Sequence, residues 1–191
     1  DLRTPLTRLK LQLALLKQQD LAKKMSDDIE EMERMLNEYL EFSRHQKNEE
    51  TEIIDLNNLI QEIIKKYNNG KINFNYAEGF RLNIRANAIK RCLTNIIDNG
   101  LSYGSKVEIL TKKISRSVVI LIDDNGQGIP QSEYLNVMKP FYRIDKSRGL
   151  NKSGVGLGLS IANDIIRSHG GTISLDKSPL NGLRVKILLP L

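Results

Sequence analysis

Tryptophan is absent from this chain of 191 residues, cysteine occurs once, at Cys92, and aromatic residues make up 5% of the whole. A single cysteine excludes an internal disulfide framework and fits a reducing compartment. Cys92 itself reads as a small core residue on a helix. No apolar run approaches the roughly 20 residues needed to cross a bilayer, and no signal peptide is visible. Histidine is scarce, with only His45 and His169. An initiator methionine is missing too: the chain opens on Asp1-Leu-Arg-Thr-Pro5, as expected of a piece of something longer.

What is present is a hydrophobic content of 40%, enough for one or two small domains with a real core. The net charge of +6 is unevenly placed. Residues 1–48 balance 9 Lys and Arg against 9 Asp and Glu, whereas residues 49–191 carry 20 basic and 14 acidic residues. The basic residues are dispersed, with no cluster and no interleaved aromatics, which argues against DNA or RNA as a partner. An anionic small molecule suits the excess better.

Two periods divide the chain. Leu2, Leu6, Leu9, Leu13 and Leu16 step by four and three, and Met25, Ile29, Met32, Leu36 and Tyr39 repeat that rhythm after a break at Gln18-Gln-Asp20. Such seams predict a helical hairpin over residues 1–48, paired with a second copy in a four-helix bundle; a plain coiled coil has the same spacing. Pro5 would bend the first helix. After the polar stretch from His45 to Thr51 the pattern predicts strands and helices in alternation, forming a second domain over residues 49–191. Strands are expected at 51–54, 71–76, 81–84, 106–114, 117–122, 172–176 and 183–189, with helices at 56–67 (capped by Asp55), 86–103 and from 161 onward. Helices among mostly antiparallel strands make this an α+β layer sandwich.

Three stretches carry chemistry. Lys152-Ser-Gly-Val-Gly-Leu-Gly-Leu-Ser160 runs into a helical pattern. Glycines there expose backbone amides, and the helix start adds unpaired N–H groups, together a seat for phosphate; a flexible loop is the plainer reading. Asp124-Asn-Gly-Gln-Gly128 ends an apolar strand, where Asp124 can accept from an exocyclic amine; an ordinary turn reads the same. Asn95 and Asn99 project from one helix face. An amide oxygen there suits Mg²⁺ when phosphates fill other positions, although a solvated polar face would look alike.

Taken in this order, with Pro140-Phe-Tyr-Arg143 between the last two, the stretches resemble the N, DxGxG, F and GxGLG boxes of sensor histidine kinases. Asp1-Leu-Arg-Thr-Pro-Leu-Thr-Arg8 resembles the segment just after the phospho-accepting histidine of that family. The resemblance implies a Bergerat-type ATP-binding fold behind a dimeric hairpin, with ATP and Mg²⁺ as cofactors. It also implies phosphotransfer to, and dephosphorylation of, a response regulator receiver domain. By position, Asp124 would bind the adenine amine, Asn99 would hold Mg²⁺, and Asn95 and Tyr103 would lie against the nucleotide. Gly126 and Gly128 would shape the adenine wall; Gly154, Gly156, Leu157 and Gly158 the phosphate side; and Arg148 would meet the terminal phosphate. Asp1 would assist proton transfer and Thr4 would position water.

The acceptor histidine would stand just before Asp1, so these residues alone should not autophosphorylate there. His169 reads as structural. Gly100 and Ser102 depart from the family's N box, and Ser102 removes a cation expected near the phosphates. The expectation is therefore the cytoplasmic part of a bacterial inner-membrane kinase, held in the membrane only by segments elsewhere. A degenerate, nucleotide-binding dimeric scaffold is the alternative, and a topoisomerase or mismatch-repair type ATPase is opposed by the hairpin in front.

Overall fold

The computed structural model describes residues 49–67, 70–76, 78–144 and 156–191, together with Leu9, Lys23, Met25, Ser26, Ile29, Glu30, Met32, Glu33 and Leu36. The chain divides into two compact units, Asp1–Lys47 and Asn48–Leu191. In the first unit every described residue is helical. Ile29 is buried, while Leu9, Met25 and Met32 are exposed. Leu36 is half-buried, and the remaining seam residues, Pro5, Asp1, Thr4 and His45 lie outside the described residues.

The second unit contains strands β1 (Glu52–Asp55), β2 (Ile72–Tyr76), β3 (Arg81–Ile84), β4 (Val107–Ile114), β5 (Ser117–Asp124), β6 (Thr172–Lys177) and β7 (Leu183–Pro190). Its helices are α1 (Leu56–Ile64), α2 (Ala86–Tyr103) and α3 (Gly158–Ser168). β1 and β3 pair antiparallel as a separate ribbon, and the main sheet has the order β2-β4-β5-β7-β6. Its β2–β4 pair is parallel and its other pairs are antiparallel. The strands are thus mostly antiparallel, as the sequence pattern predicts, with one parallel pair at the sheet edge. β3 and α2 lie between the two strands in the chain, and a helix crossover is what lets strands run the same way.

Each helix begins and buries itself for identifiable reasons. Asp55 Oδ1 caps α1 by accepting from Asn57 N at 3.0 Å and Asn58 N at 3.1 Å, and Leu56, Leu59, Ile60 and Ile63 face inward at helical spacing. α1 ends three residues short of the expected Tyr67. Lys66 N and Tyr67 N bond back to Ile63 O and Ile64 O, tightening the last turn, and the Tyr67 hydroxyl donates to Asp98 Oδ1 on α2 at 2.8 Å.

α2 packs between α1 and α3 and over β4 and β5, while α1 meets β2 and α3 meets β6. The helices therefore cover one face of the sheet, with Ile109, Ile122 and Val185 in one buried cross-strand row beneath them. Cys92 lies fully buried where α2 meets α3, its thiol 3.8 Å from Ala162 O. The opposite face of the sheet carries Glu108, Asp123, Arg184 and Asp176 in register across four strands.

Candidate functional site

α2 carries Asn95 and Asn99 one turn apart, and its approach to the sheet is set by Gly100. A Cβ at position 100 would stand 3.0 Å from Val107 Cγ2 and 3.2 Å from Asp124 Cβ. The glycine that departs from the N-box pattern thus lets α2 settle directly against the end of β5. It brings Asp124 against the turn of α2 that carries Asn99, joining two motifs about 25 residues apart in sequence.

Asp124 is 7% exposed. Its Oδ1 accepts from Gly126 N at 2.8 Å and from Leu183 N at 3.1 Å. Its Oδ2 accepts from no donor among the described residues. Every fully buried side-chain N or O among those residues has a partner, so Oδ2 keeps a path to solvent. Burial pushes the Asp124 carboxyl above its usual range, opposed by the two N–H groups. One oxygen is locked and the other is available. Half-buried Asn99 likewise makes no side-chain hydrogen bond with the described residues. Asn95 makes only a long one, from Nδ2 to Gly158 O at 3.5 Å.

The loop after β5 is stapled to the end of α2. Asn125 Oδ1 accepts from Ser105 N and Lys106 N at 2.8 and 2.9 Å, and a Cβ on Gly126 would fall 2.9 Å from Tyr103 O. Tyr103, partly exposed, therefore ends α2 against this loop. Gly128 follows with a left-handed φ of 71°.

On the other side, Gly156 has a φ of 77° and accepts from Phe141 N at 2.9 Å. A Cβ there would lie 2.9 Å from Tyr142 O, so the F-box segment and the glycine segment touch backbone to backbone. Leu157 is buried. Gly158 opens α3, which has no side-chain cap, and among the described residues a Cβ on Gly158 would meet only Asn95, at 3.8 Å. Arg148 and Gly154 lie outside the described residues.

Ser102 turns its hydroxyl back to Asp98 O at 2.7 Å. His169 is structural: Nδ1 donates to Ile165 O at 2.7 Å, because a carbonyl can only accept, and Nε2 accepts from Arg85 N at 3.1 Å. Sequence reasoning missed Asn125, Leu183 N–H and Gly182, whose absent Cβ would fall 2.1 Å from Asp124 Oδ1. Asn181-Gly182 between two strands signals a turn, but not where that turn leans. Among the described residues no group of three His, Cys, Asp or Glu could hold a metal, and no helix is long and apolar enough to cross a membrane.

Residues 84–191 match the family described as histidine kinase-, DNA gyrase B- and HSP90-like ATPases, and residues 1–48 match the His kinase A (phospho-acceptor) domain. The chain is 35% identical over its full length to sensor histidine kinase GtrS of Pseudomonas aeruginosa, of which it spans 40%. It is also 35% identical over its full length to sensor histidine kinase CpxA of Escherichia coli, of which it spans 45%. Among solved structures, the histidine kinase domain of the E. coli osmosensor EnvZ superposes with a TM-score of 0.58 at 26% identity, covering 76% of this chain and 91% of that one.

Proposed function

From the premise that this chain belongs to the sensor histidine kinase family, we propose that residues 49–191 bind ATP with Mg²⁺ and donate its terminal phosphoryl group to a histidine. Residues 1–48 belong to the dimeric hairpin that presents this acceptor, which is neither His45 nor His169. The phosphoryl group then passes to a receiver-domain aspartate of a response regulator. The intact protein is a bacterial inner-membrane sensor, and this region works on its cytoplasmic side.

Asp124 carries the assignment. A locked Oδ1 and an open Oδ2 in a pocket wall fit an adenine 6-amine, which needs one aimed acceptor. Asn95 and Tyr103 lie against the nucleotide. Gly126 and Gly128 keep side chains off the adenine wall, while Gly154, Gly156, Leu157 and Gly158 keep the phosphate side bare. The uncapped start of α3 supplies N–H groups and the positive end of a helix dipole for the phosphates. Arg148 meets the terminal phosphate.

The unengaged Asn99 amide fits Mg²⁺, which takes few protein ligands and draws the rest from phosphates and water. When bound, the ion neutralises phosphate charge. The chain's own contribution is positioning and preorganised donors. Asp1 assists proton transfer at the neighbouring histidine, and Thr4 orients water when the regulator is dephosphorylated. Exposed Met25 and Met32, in the same seam as buried Ile29, support a second copy of the hairpin as partner.

Calorimetric titration with ADP and Mg²⁺ tests the site. Asp124→Asn should weaken binding about tenfold or more, because an amide reverses half of the donor–acceptor match. A folded wild-type protein that gives no heat at millimolar nucleotide would overturn the reading.

A further inference from the structure

The neighbours of Asp124 and Leu183 form a second contact on the far side of the sheet. Asp123 and Arg184 are cross-strand partners, and theirs is the last β5–β7 pair before the site. Arg184 Nε donates to Asp123 Oδ1 at 2.7 Å and Nη2 donates to Oδ2 at 2.8 Å. This two-pronged geometry fixes direction as well as distance. Asp123 is only 6% exposed, so the guanidinium is its close compensating partner away from water. Asp176, the cross-strand neighbour of Arg184 on β6, adds attraction from the other side.

One residue along each strand, on the inner face, Leu183 N donates to Asp124 Oδ1. Asp124 is the last residue of β5 and Leu183 the first of β7. Strand ends are where pairing opens most readily. The ion pair therefore closes the final rung at the place where Asp124 needs a fixed backbone donor.

We propose that Asp123 and Arg184 are positioning residues for base recognition. Their ion pair clamps the end of β5 to the start of β7, holds Leu183 N–H on Asp124 Oδ1, and so aims Asp124 Oδ2 at an exocyclic amine. The inference rests on the nucleotide reading of the site. Neither residue touches the nucleotide. Without the guanidinium, β7 loses its hold on the last rung, Asp124 turns, and an uncompensated Asp123 stands beside it as a like charge.

The test uses the full chain in two arms. In the first, without nucleotide, NMR-detected amide exchange is followed at Leu183 and at Ile187, central in β7. Arg184→Leu should speed exchange about tenfold at Leu183 and leave Ile187 unchanged. In the second arm, calorimetry compares ADP with inosine diphosphate, which lacks the 6-amine. Arg184→Leu should weaken ADP about tenfold and leave inosine diphosphate unchanged, so the preference collapses. Arg184→Lys keeps the charge but not the fork, and should lose about threefold of the preference. Lys186→Ala, the next outward position on β7, should change neither arm.

Equal losses for the two nucleotides, tracking melting temperature, would make the pair merely structural and overturn the proposal. An unchanged preference would overturn it as well. Should Arg184→Leu not fold, Arg184→Lys decides by the same two readouts. A wild type that binds neither nucleotide overturns the ATP reading and with it the base-recognition role, whereas unchanged exchange at Leu183 overturns the clamp alone.

Discussion

At the start of α2 the chain supplies an anion of its own; at the start of α3 none of the described residues does. Both helices begin without a capping side chain at the usual position, so both have first-turn N–H groups, at the positive end of a helix dipole, that need an acceptor from elsewhere. Glu49, 38 residues upstream, answers the need of α2, accepting from Asn87 N at 2.6 Å and Ala88 N at 3.1 Å. α1 is closed in the same way by Asp55. α3 instead follows a glycine-rich segment, and no side chain among the described residues caps its start. Where a carboxylate fills the helix start the contact serves stability, and where none does the start is open to the binding role proposed for it.

Substitutions that exchange these conditions should break the contrast. Gly158→Asp places a carboxylate at the start of α3, where the nearest contact of a Cβ among the described residues is an ordinary 3.8 Å. Binding of ADP should fall on the order of a hundredfold through like-charge repulsion with the phosphates. Melting temperature should hold or rise, because the new charge favours the dipole. Gly158→Ala should keep binding, and calorimetry paired with thermal melts separates the two effects. A loss of binding matched by a loss of stability would mean that the helix start is not an anion seat.

Glu49→Ala should do the reverse. Losing the cap of α2 costs about 1–2 kcal/mol in urea denaturation, while ADP affinity moves less than about threefold. Asp55→Ala should cost about 1 kcal/mol.

The smallest effect depends on pH. Burial holds His169 below its ordinary value of 6.5, with nearby Arg85 adding to the shift and Glu49 opposing it. The folded state therefore prefers the neutral ring, whose Nε2 accepts from Arg85 N. Its contribution is complete above pH 6.5 and is lost as pH falls toward the lowered folded value. Urea denaturation across that window should show stability declining with acid, and His169→Gln should flatten the slope.

Local patterns were legible in sequence and distant pairings were not. α2 runs from Ala86 to Tyr103 as its periodicity predicts, and Asp55 caps α1 as its place before Leu56 predicts. The order of Asn99, Asp124 and the glycines carried the family resemblance because each motif is contiguous. By contrast, the β1–β3 ribbon, the parallel β2–β4 pair, the reach of Glu49 and the Asp123–Arg184 fork join residues 26 to 61 positions apart in register or bonding. No periodicity records such a pairing. Gly100 shows the limit from the other side: read alone it weakens a helix by about 1 kcal/mol, yet in the fold it lets that helix reach the sheet.

Cys92 turns the seam between α2 and α3 into a clock. It is the chain's only thiol, fully buried, and burial holds it in the protonated, unreactive form. A thiol reagent can reach it only when the two helices part. Its labelling rate in the native protein therefore measures how often the helices carrying Asn99 and Gly158 separate, and a ligand that bridges them should slow that clock.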